Sequence, residues 1–490
     1  MIQLENQDIS TSQKIAYGAG FVLASRFASK ILGFLSVLIL ARYLGVDDFG
    51  LYSLVLTFVG FFLFLNDFGI SAIFIRKISS GIKNESEVLG EAAVLKFFLS
   101  LLAIAVTLIA AFIFAYNLQL IFLIGIFSIT HLFGSLSTIY TGSLQAKLKM
   151  FEVAIIELSF SAMYLASAIL VWVLSLDIAL LLVFYVISTL ISFLIAWHYG
   201  KKYSKVALRF RTSDWIGQLK ESWPFALTTL FTALYNRIDI LMLSKLATVA
   251  DIGKYSAAFR LTESLYIIPA ALTMVLYPIM SKYSNESKEV LINIHRFAIR
   301  YAAYLFIPAA FGATVLASRL MYWIYGEEFL GQDVYIALAL LSWSALFLVL
   351  NLISTNLLYS VFMEKRAMGI VLLGIFFNVI TNFIFIPVYG FVGAAFTTLL
   401  TELLLFVIFN YMVFKKIYKP SLSVFIRPLI AGSIMGIALT QLAFINIVPL
   451  ILTGVAIYFL VLYLIGGFSK EDLEISRKIV ASLNTMAQRK

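Results

Sequence analysis

The chain reads as an all-α polytopic membrane protein of about fourteen transmembrane helices. Three observations predict this. Apolar segments of about 20 residues follow one another along the chain, Lys and Arg concentrate in alternate loops, and a motif recurs half-way through. A helix needs about 20 apolar residues to cross roughly 30 Å of hydrocarbon. The composition agrees, with 62% hydrophobic residues and a mean hydropathy of +0.99. The spans are expected at 17–40, 49–74, 89–115, 119–142, 153–175, 178–198, 222–244, 254–280, 297–317, 334–358, 367–387, 391–414, 424–444 and 447–467.

Loop charge orients these spans. With the N-terminus inside, the inner segments hold 26 of the 36 Lys and Arg. The outer loops hold only Arg42, Lys245, Lys254 and Arg319, and six cations fall within spans. Cations are retained on the cytoplasmic side, so both termini are expected there, in the cytoplasmic membrane. The net charge of +10 then belongs beside anionic headgroups, and no nucleic-acid partner is implied.

Taken in order, the first fifteen residues are polar and lack a cleavable signal pattern, so the first span is expected to be an uncleaved anchor. The longest inner loop, 199–221, is basic. Within it, Ser213-Asp214 followed by Trp215, Ile216 and Leu219 predicts a capped helix lying at the interface. The largest outer loop, 319–333, has about fifteen residues, too few for an extracytoplasmic catalytic domain. In the tail, Ser469 and Asp472 form a possible capping pair. Leu473, Ile479, Leu483 and Met486 would line one apolar face there. Cys is absent, which excludes disulfides, thiolate metal sites and cysteine nucleophiles, and three scattered His make no metal site. Asn-Glu-Ser at Asn84 and Asn285 falls on the inner side and reads as loop sequence.

Leu40-Ala-Arg-Tyr-Leu-Gly-Val-Asp-Asp-Phe-Gly-Leu-Tyr-Ser53 matches Leu243-Ser-Lys-Leu-Ala-Thr-Val-Ala-Asp-Ile-Gly-Lys-Tyr-Ser256 at six of fourteen positions, at an offset of 203. Two six-span halves of the same orientation follow, about 14–200 and 216–414, because six crossings return the chain to the starting side. The expected division is an N-terminal lobe with its tail (1–205), a second lobe (206–420), and a terminal helix pair with an amphipathic tail (421–490). A shared need for glycine turns is the plainer explanation of the match, but several residue types recur.

Charges inside spans are costly, about 2.5–3.5 kcal/mol each on insertion scales, so they normally face a cavity or a partner. Arg26 and Lys30 lie four apart in the first span, on one face with Ser29 and Gly33. Adjacent cations suit a diphosphate, which an Arg fork binds through two oxygens. Snorkelling to headgroups is the alternative, although Arg26 lies nine residues past the start of its span. In the seventh span Thr229, Thr232, Asn236 and Asp239 form a polar stripe beside Arg237. In the eighth, Ser256, Arg260 and Glu263 share a face, and Arg260 and Glu263 are spaced for an ion pair. Arg237, Asp239, Arg260 and Glu263 could form one network. Substrate contact is expected from Arg26, Lys30, Asn236, Arg237 and Arg260. Asp67, beside Asn66 in the second span, could carry a proton, bind Na⁺ or stabilise an arginine. Asp67, Asp239 and Glu263 are the candidates for coupling to a proton or sodium gradient, with no cofactor, metal or catalytic residue expected. Arg300 and Glu402 are weaker candidates, and His131 is expected to be a hydrogen-bonded helix contact.

Ala41-Arg-Tyr-Leu-Gly-Val-Asp-Asp-Phe-Gly-Leu-Tyr52, Asp67-Phe-Gly-Ile with Arg76, Ile238-Asp-Ile-Leu-Met-Leu through Gly253-Lys-Tyr-Ser-Ala-Ala-Phe-Arg260 to Pro278, and Ile386-Pro-Val-Tyr-Gly-Phe-Val-Gly-Ala-Ala395 occur in order. Together they resemble the polysaccharide-transporter family of the multidrug/oligosaccharidyl-lipid/polysaccharide exporter superfamily, over residues 14–467. The resemblance implies a flippase for undecaprenyl- or dolichyl-diphosphate-linked oligosaccharide, serving cell-surface polysaccharide or glycan biosynthesis by alternating access between two lobes. Its implied partners are that lipid-linked oligosaccharide, membrane lipids and the glycosyltransferases or polymerase of the same pathway. Two other readings are a drug exporter of the same superfamily and a membrane glycan polymerase or transferase. Asp47-Asp48 could be read as such an enzyme's acid pair. The short outer loops argue against it, and so does Asp251 at the equivalent repeat position, which makes the aspartate a turn residue.

Overall fold

The computed structural model describes residues 11–81, 84–208, 210 and 212–468, and no strand occurs among them. Its contacts divide the chain into two compact units, Met1–Ser256 and Ala257–Lys490. Ten helices among the described residues are long and apolar enough to cross a membrane.

In the first unit, α1 (Thr11–Phe61) holds the first span and the start of the second. Gly45 breaks it with φ 70°, a left-handed angle that only glycine adopts without strain, and this is the turn between the first two spans. The second span continues through α2 (Leu63–Asp67) and α3 (Ile70–Ser79). Between them Phe68 and Gly69 are both left-handed. Gly69 is also needed for space, because a Cβ there would overlap Phe225 and the Ser222 carbonyl. Next come α4 (Glu85–Ile113), α5 (Leu118–Ser128), α6 (Thr130–Ala146), α7 (Met150–Val173) and α8 (Ile178–Tyr203). α5 and α8 are capped by Asn117 and Asp177, whose side-chain Oδ1 atoms accept from the backbone N–H of Leu120 and of Leu180, three residues on. α5 and α6 together make the fourth span, with a break at Ile129.

α9 (Thr212–Leu246) is one helix of 35 residues. The helix expected near Ser213 is therefore continuous with the helix of the seventh span. Nothing between residues 212 and 222 interrupts the backbone ladder, and Trp215 and Leu219 pack onto the buried cluster of Ile70, Phe74, Leu89 and Ile139. α9 and the following α10 (Val249–Ser264) with α11 (Ile267–Glu286) are the seventh and eighth spans. They fall outside the ten strongly apolar helices, and in α9 the polar stripe from Thr228 to Asp239 accounts for this. α10 crosses the division between units.

The repeated turn makes a reciprocal contact inside the first unit. A Cβ at Gly50 would overlap the Val249 carbonyl oxygen, and a Cβ at Gly253 would overlap the Val46 carbonyl oxygen. The offset of 203 maps Val46 onto Val249 and Gly50 onto Gly253. The two motif copies thus touch through equivalent atoms. Small residues of this kind let helix backbones approach where lipid gives no hydrophobic drive between helices.

The second unit continues with α12 (Lys288–Val315), α13 (Ala317–Tyr325), α14 (Gln332–Ser360) and α15 (Glu364–Lys416). The outer loop expected at 319–333 contains α13 and a short 3₁₀ turn. Pro387 followed by Gly390, at φ 54°, folds α15 into the eleventh and twelfth spans. Met280, Ala302, Phe306, Val349, Ile353 and Leu357 form the buried core of α11, α12 and α14. The terminal pair, α16 (Ile426–Gln441) and α17 (Ile447–Leu464), packs through Ala431, Met435 and Leu450 onto α12 at Tyr304. Two pairs of spans folded at Gly45 and Gly390, with the broken fourth and eighth, account for the fourteen crossings. Exposed Phe112, Ile113, Phe122, Phe376 and Phe383 give the spans an apolar exterior that fits acyl chains. The predicted tail helix lies outside the described residues.

Candidate functional site

In the first unit, α1 presents Arg26 and Lys30 on an exposed face, as their spacing predicts. Arg26 is not alone there. Its Nε lies 3.6 Å from Glu157 Oε2 on α7, a half-exposed pair that sequence spacing could not reveal across 131 positions. Lys30 has no hydrogen-bond or ion-pair partner among the described residues. An exposed, unneutralised ammonium on a spanning helix is costly in acyl chains and favourable in a wet cavity that receives anions.

On α9, Thr229, Thr232 and Asn236 are exposed. Each donates to the backbone four residues earlier: Thr229 to Phe225 at 3.1 Å, Thr232 to Thr228 at 2.8 Å and Asn236 to Thr232 at 2.8 Å. Both hydroxyl donors and one of the two amide donors of Asn236 are occupied while acceptor lone pairs remain, which suits hydroxyl groups of a ligand. Asp239 accepts from Tyr255 Oη at 2.8 Å, and Arg237 is half-buried beside Asn236.

The second-span break holds the densest polar cluster. Lys96 on α4 is fully buried, and its ammonium donates to Asp67 Oδ1, to Ser71 Oγ at 2.8 Å and to Thr138 Oγ1. All three N–H groups are thus used, which is what allows a cation to remain in the interior. Asp67 keeps 37% of its side chain exposed, so the pair has a sealed cation and an accessible carboxylate. Ser135 donates to the carbonyls of Asn66 and Lys96, and Asn66 Oδ1 is buried with no partner among the described residues. Lys96 is one of the six cations that sequence places within spans. Its partner was not legible, because Asp67 lies 29 positions away. His131 corrects an expectation: it is buried, and neither ring nitrogen has a hydrogen-bond partner among the described residues.

In the second unit, Arg260 Nη1 pairs with Glu263 Oε2 at 2.8 Å, as their spacing suggests. Buried Glu402 accepts from Asn351 Nδ2 at 2.8 Å. Sequence reasoning passed over a further buried group in α15. Asn382 donates to Asn378 at 2.9 Å and accepts from Thr397 across the Gly390 fold. A polar run inside an apolar segment was the available signal. No group of three or more His, Cys, Asp or Glu that could hold a metal occurs among the described residues.

A many-spanned bundle with cations and hydroxyls on exposed helix faces defines a membrane transporter. The family described as polysaccharide biosynthesis protein matches residues 15–284, and the chain belongs to that family. It is 22% identical over 379 residues to the Haloferax volcanii protein called "Probable low-salt glycan biosynthesis flippase Agl15", covering 76% of this chain and 77% of that one. Its fold is that of "Lipid II flippase MurJ, inward closed conformation", with a TM-score of 0.72, 18% identity, and 91% and 97% of the two chains covered. A multidrug resistance MATE transporter of the MOP superfamily, in an inward-facing conformation, gives a TM-score of 0.60 at 15% identity, covering 79% and 95%.

Proposed function

We propose that the protein is a flippase that moves polyprenyl-diphosphate-linked oligosaccharide across the cytoplasmic membrane by alternating access, for cell-surface polysaccharide or glycan synthesis. The observation that carries this is the pair Arg26 and Lys30, exposed on the apolar helix α1 in a member of a polysaccharide biosynthesis family. A diphosphate matches them in charge, and the exposed hydroxyls and amide of α9 offer acceptors to a glycan. The named flippase relatives support the substrate class. Arg237 and Arg260 complete the substrate-contacting set. Asp67, Asp239 and Glu263 link motion to a proton or sodium gradient. The chain works as two six-span halves, 1–205 and 206–420, with 421–490 as an appended pair, and both termini are cytoplasmic. It makes and breaks no glycosidic bond.

Reconstitution tests this reading. Purified protein in liposomes is expected to move a labelled polyprenyl-diphosphate oligosaccharide between leaflets, and a proton or Na⁺ gradient to speed it. A longer glycan or a released polyprenyl diphosphate, with no other enzyme present, would establish a transferase instead.

A further inference from the structure

Beside the cation pair of α1 stands a carboxylate from another helix, Glu157 of α7. It belongs to a helix long and apolar enough to cross a membrane, where a carboxylate is costly without a partner or water. α7 supplies no cation near it, since residues 153–161 contain neither Lys nor Arg. α1 supplies Arg26. The two helices pack along each other and are also tied by the hydroxyls of Tyr52 and Tyr164. Arg26 and Glu157 therefore sit on one packed helix pair of the first unit.

The contact is loose. Arg26 Nε lies 3.6 Å from Glu157 Oε2, beyond the range of a good hydrogen bond, and the side chains are 48% and 34% exposed. Ion pairs with this much exposure contribute little to stability. The approach uses the Nε edge, and neither Nη group of Arg26 donates a hydrogen bond among the described residues. Lys30, one turn further along α1, adds a second positive charge. This face of α1 thus carries two cations against one carboxylate from α7. It keeps surplus positive charge and an unused pair of guanidinium donors while Glu157 is in place. A diphosphate fits both. It carries at least two negative charges, and its oxygens accept from paired guanidinium N–H groups in short, strong hydrogen bonds. It would outcompete a single carboxylate held this loosely, and its own charge would repel that carboxylate.

We infer that Glu157 is an exchangeable counterion of Arg26. It holds the guanidinium while no substrate is bound, yields it when a diphosphate arrives, and takes it back as the head group leaves. Glu157 touches no substrate in this scheme. It is a positioning residue that acts through Arg26, lowering affinity for the diphosphate and speeding its release. The inference rests on the reading of Arg26 as a diphosphate contact.

The test uses the full-length protein in detergent, titrated calorimetrically with farnesyl diphosphate, with farnesol as the uncharged control. Arg26→Gln should weaken binding about tenfold, the scale of one lost charge-assisted contact. Glu157→Gln should do the opposite and tighten binding about threefold to fivefold, the upper range for a partly exposed charge contact. In the Arg26→Gln background, Glu157→Gln should add little, because the counterion acts through that arginine. In liposomes, Glu157→Gln should lower both the half-saturating concentration of a labelled polyprenyl-diphosphate oligosaccharide and the maximal rate. A purely structural pair predicts something else: a lower thermal midpoint with equal or weaker binding. Glu157→Asp keeps the charge but is one methylene shorter, so its affinity should fall between wild type and the Gln variant, and it serves where the Gln variant does not fold. Affinity at or below that of the wild type in whichever of these variants folds, or a tightening of equal size without Arg26, overturns the inference. Where the wild type binds farnesyl diphosphate and Arg26→Gln weakens it, that failure belongs to the counterion alone. Where the wild type binds no diphosphate, the substrate reading of Arg26 falls and the counterion falls with it.

Discussion

Lys96 carries the most extreme burial of any cation in the described chain, and three oxygens from α2, α3 and α6 meet its three protons. Removing one partner of such a pair leaves the other desolvated, at about 3–5 kcal/mol for a fully buried pair. Asp67 is partly exposed, so Lys96→Met should cost towards the lower end, seen as a fall in thermal midpoint in detergent. Lys96→Met with Asp67→Asn should recover most of that loss, and equal losses in single and double variants would show that the two groups are uncoupled. Arg260→Ala should abolish glycan export at near-normal membrane abundance. A fall in abundance alone would make the residue structural, its Glu263 left unpaired. The contrast shows what sequence can carry at this scale. Arg260 and Glu263 are neighbours on one helix, and their contact follows from spacing. Lys96 and Asp67, or Arg26 and Glu157, meet only because separate helices pack, and no periodicity encodes that.

At the scale of elements, the spans and the two glycine folds were legible, because apolar length and repeated Gly-containing turns are local properties. The breaks inside the second, fourth and eighth spans were not. Phe68 in the left-handed region contradicts its own preference, and only the surrounding packing holds it there. Gly69 follows with both a positive φ and no room for a Cβ. Gly69→Ala should therefore destabilise the protein by at least about 1–2 kcal/mol. The same substitution at Gly33, where nothing lies within 4 Å of an added Cβ, should be neutral or slightly stabilising. Thermal unfolding of the two variants side by side decides it; equal behaviour would mean that the break relaxes freely.

For the whole molecule, the distribution of Lys and Arg predicts which face is cytoplasmic. A Cys placed at Ser213, in a chain with none of its own, should resist a membrane-impermeant thiol reagent in intact cells and react after permeabilisation. Labelling in intact cells would invert the topology. The order of spans was legible from end to end, whereas the grouping of contacts at Ser256 was not, since it depends on packing within the eighth span. The contact between Gly50 and Gly253 has a further consequence. Equivalent atoms meet equivalent atoms, as they do across the two-fold axis of a symmetric dimer. A single six-span ancestor bearing this turn would already have held the surface needed to pair with a twin of itself. Gene fusion would then have joined two partners that fitted, leaving each later change at one glycine answerable to its counterpart in the other half.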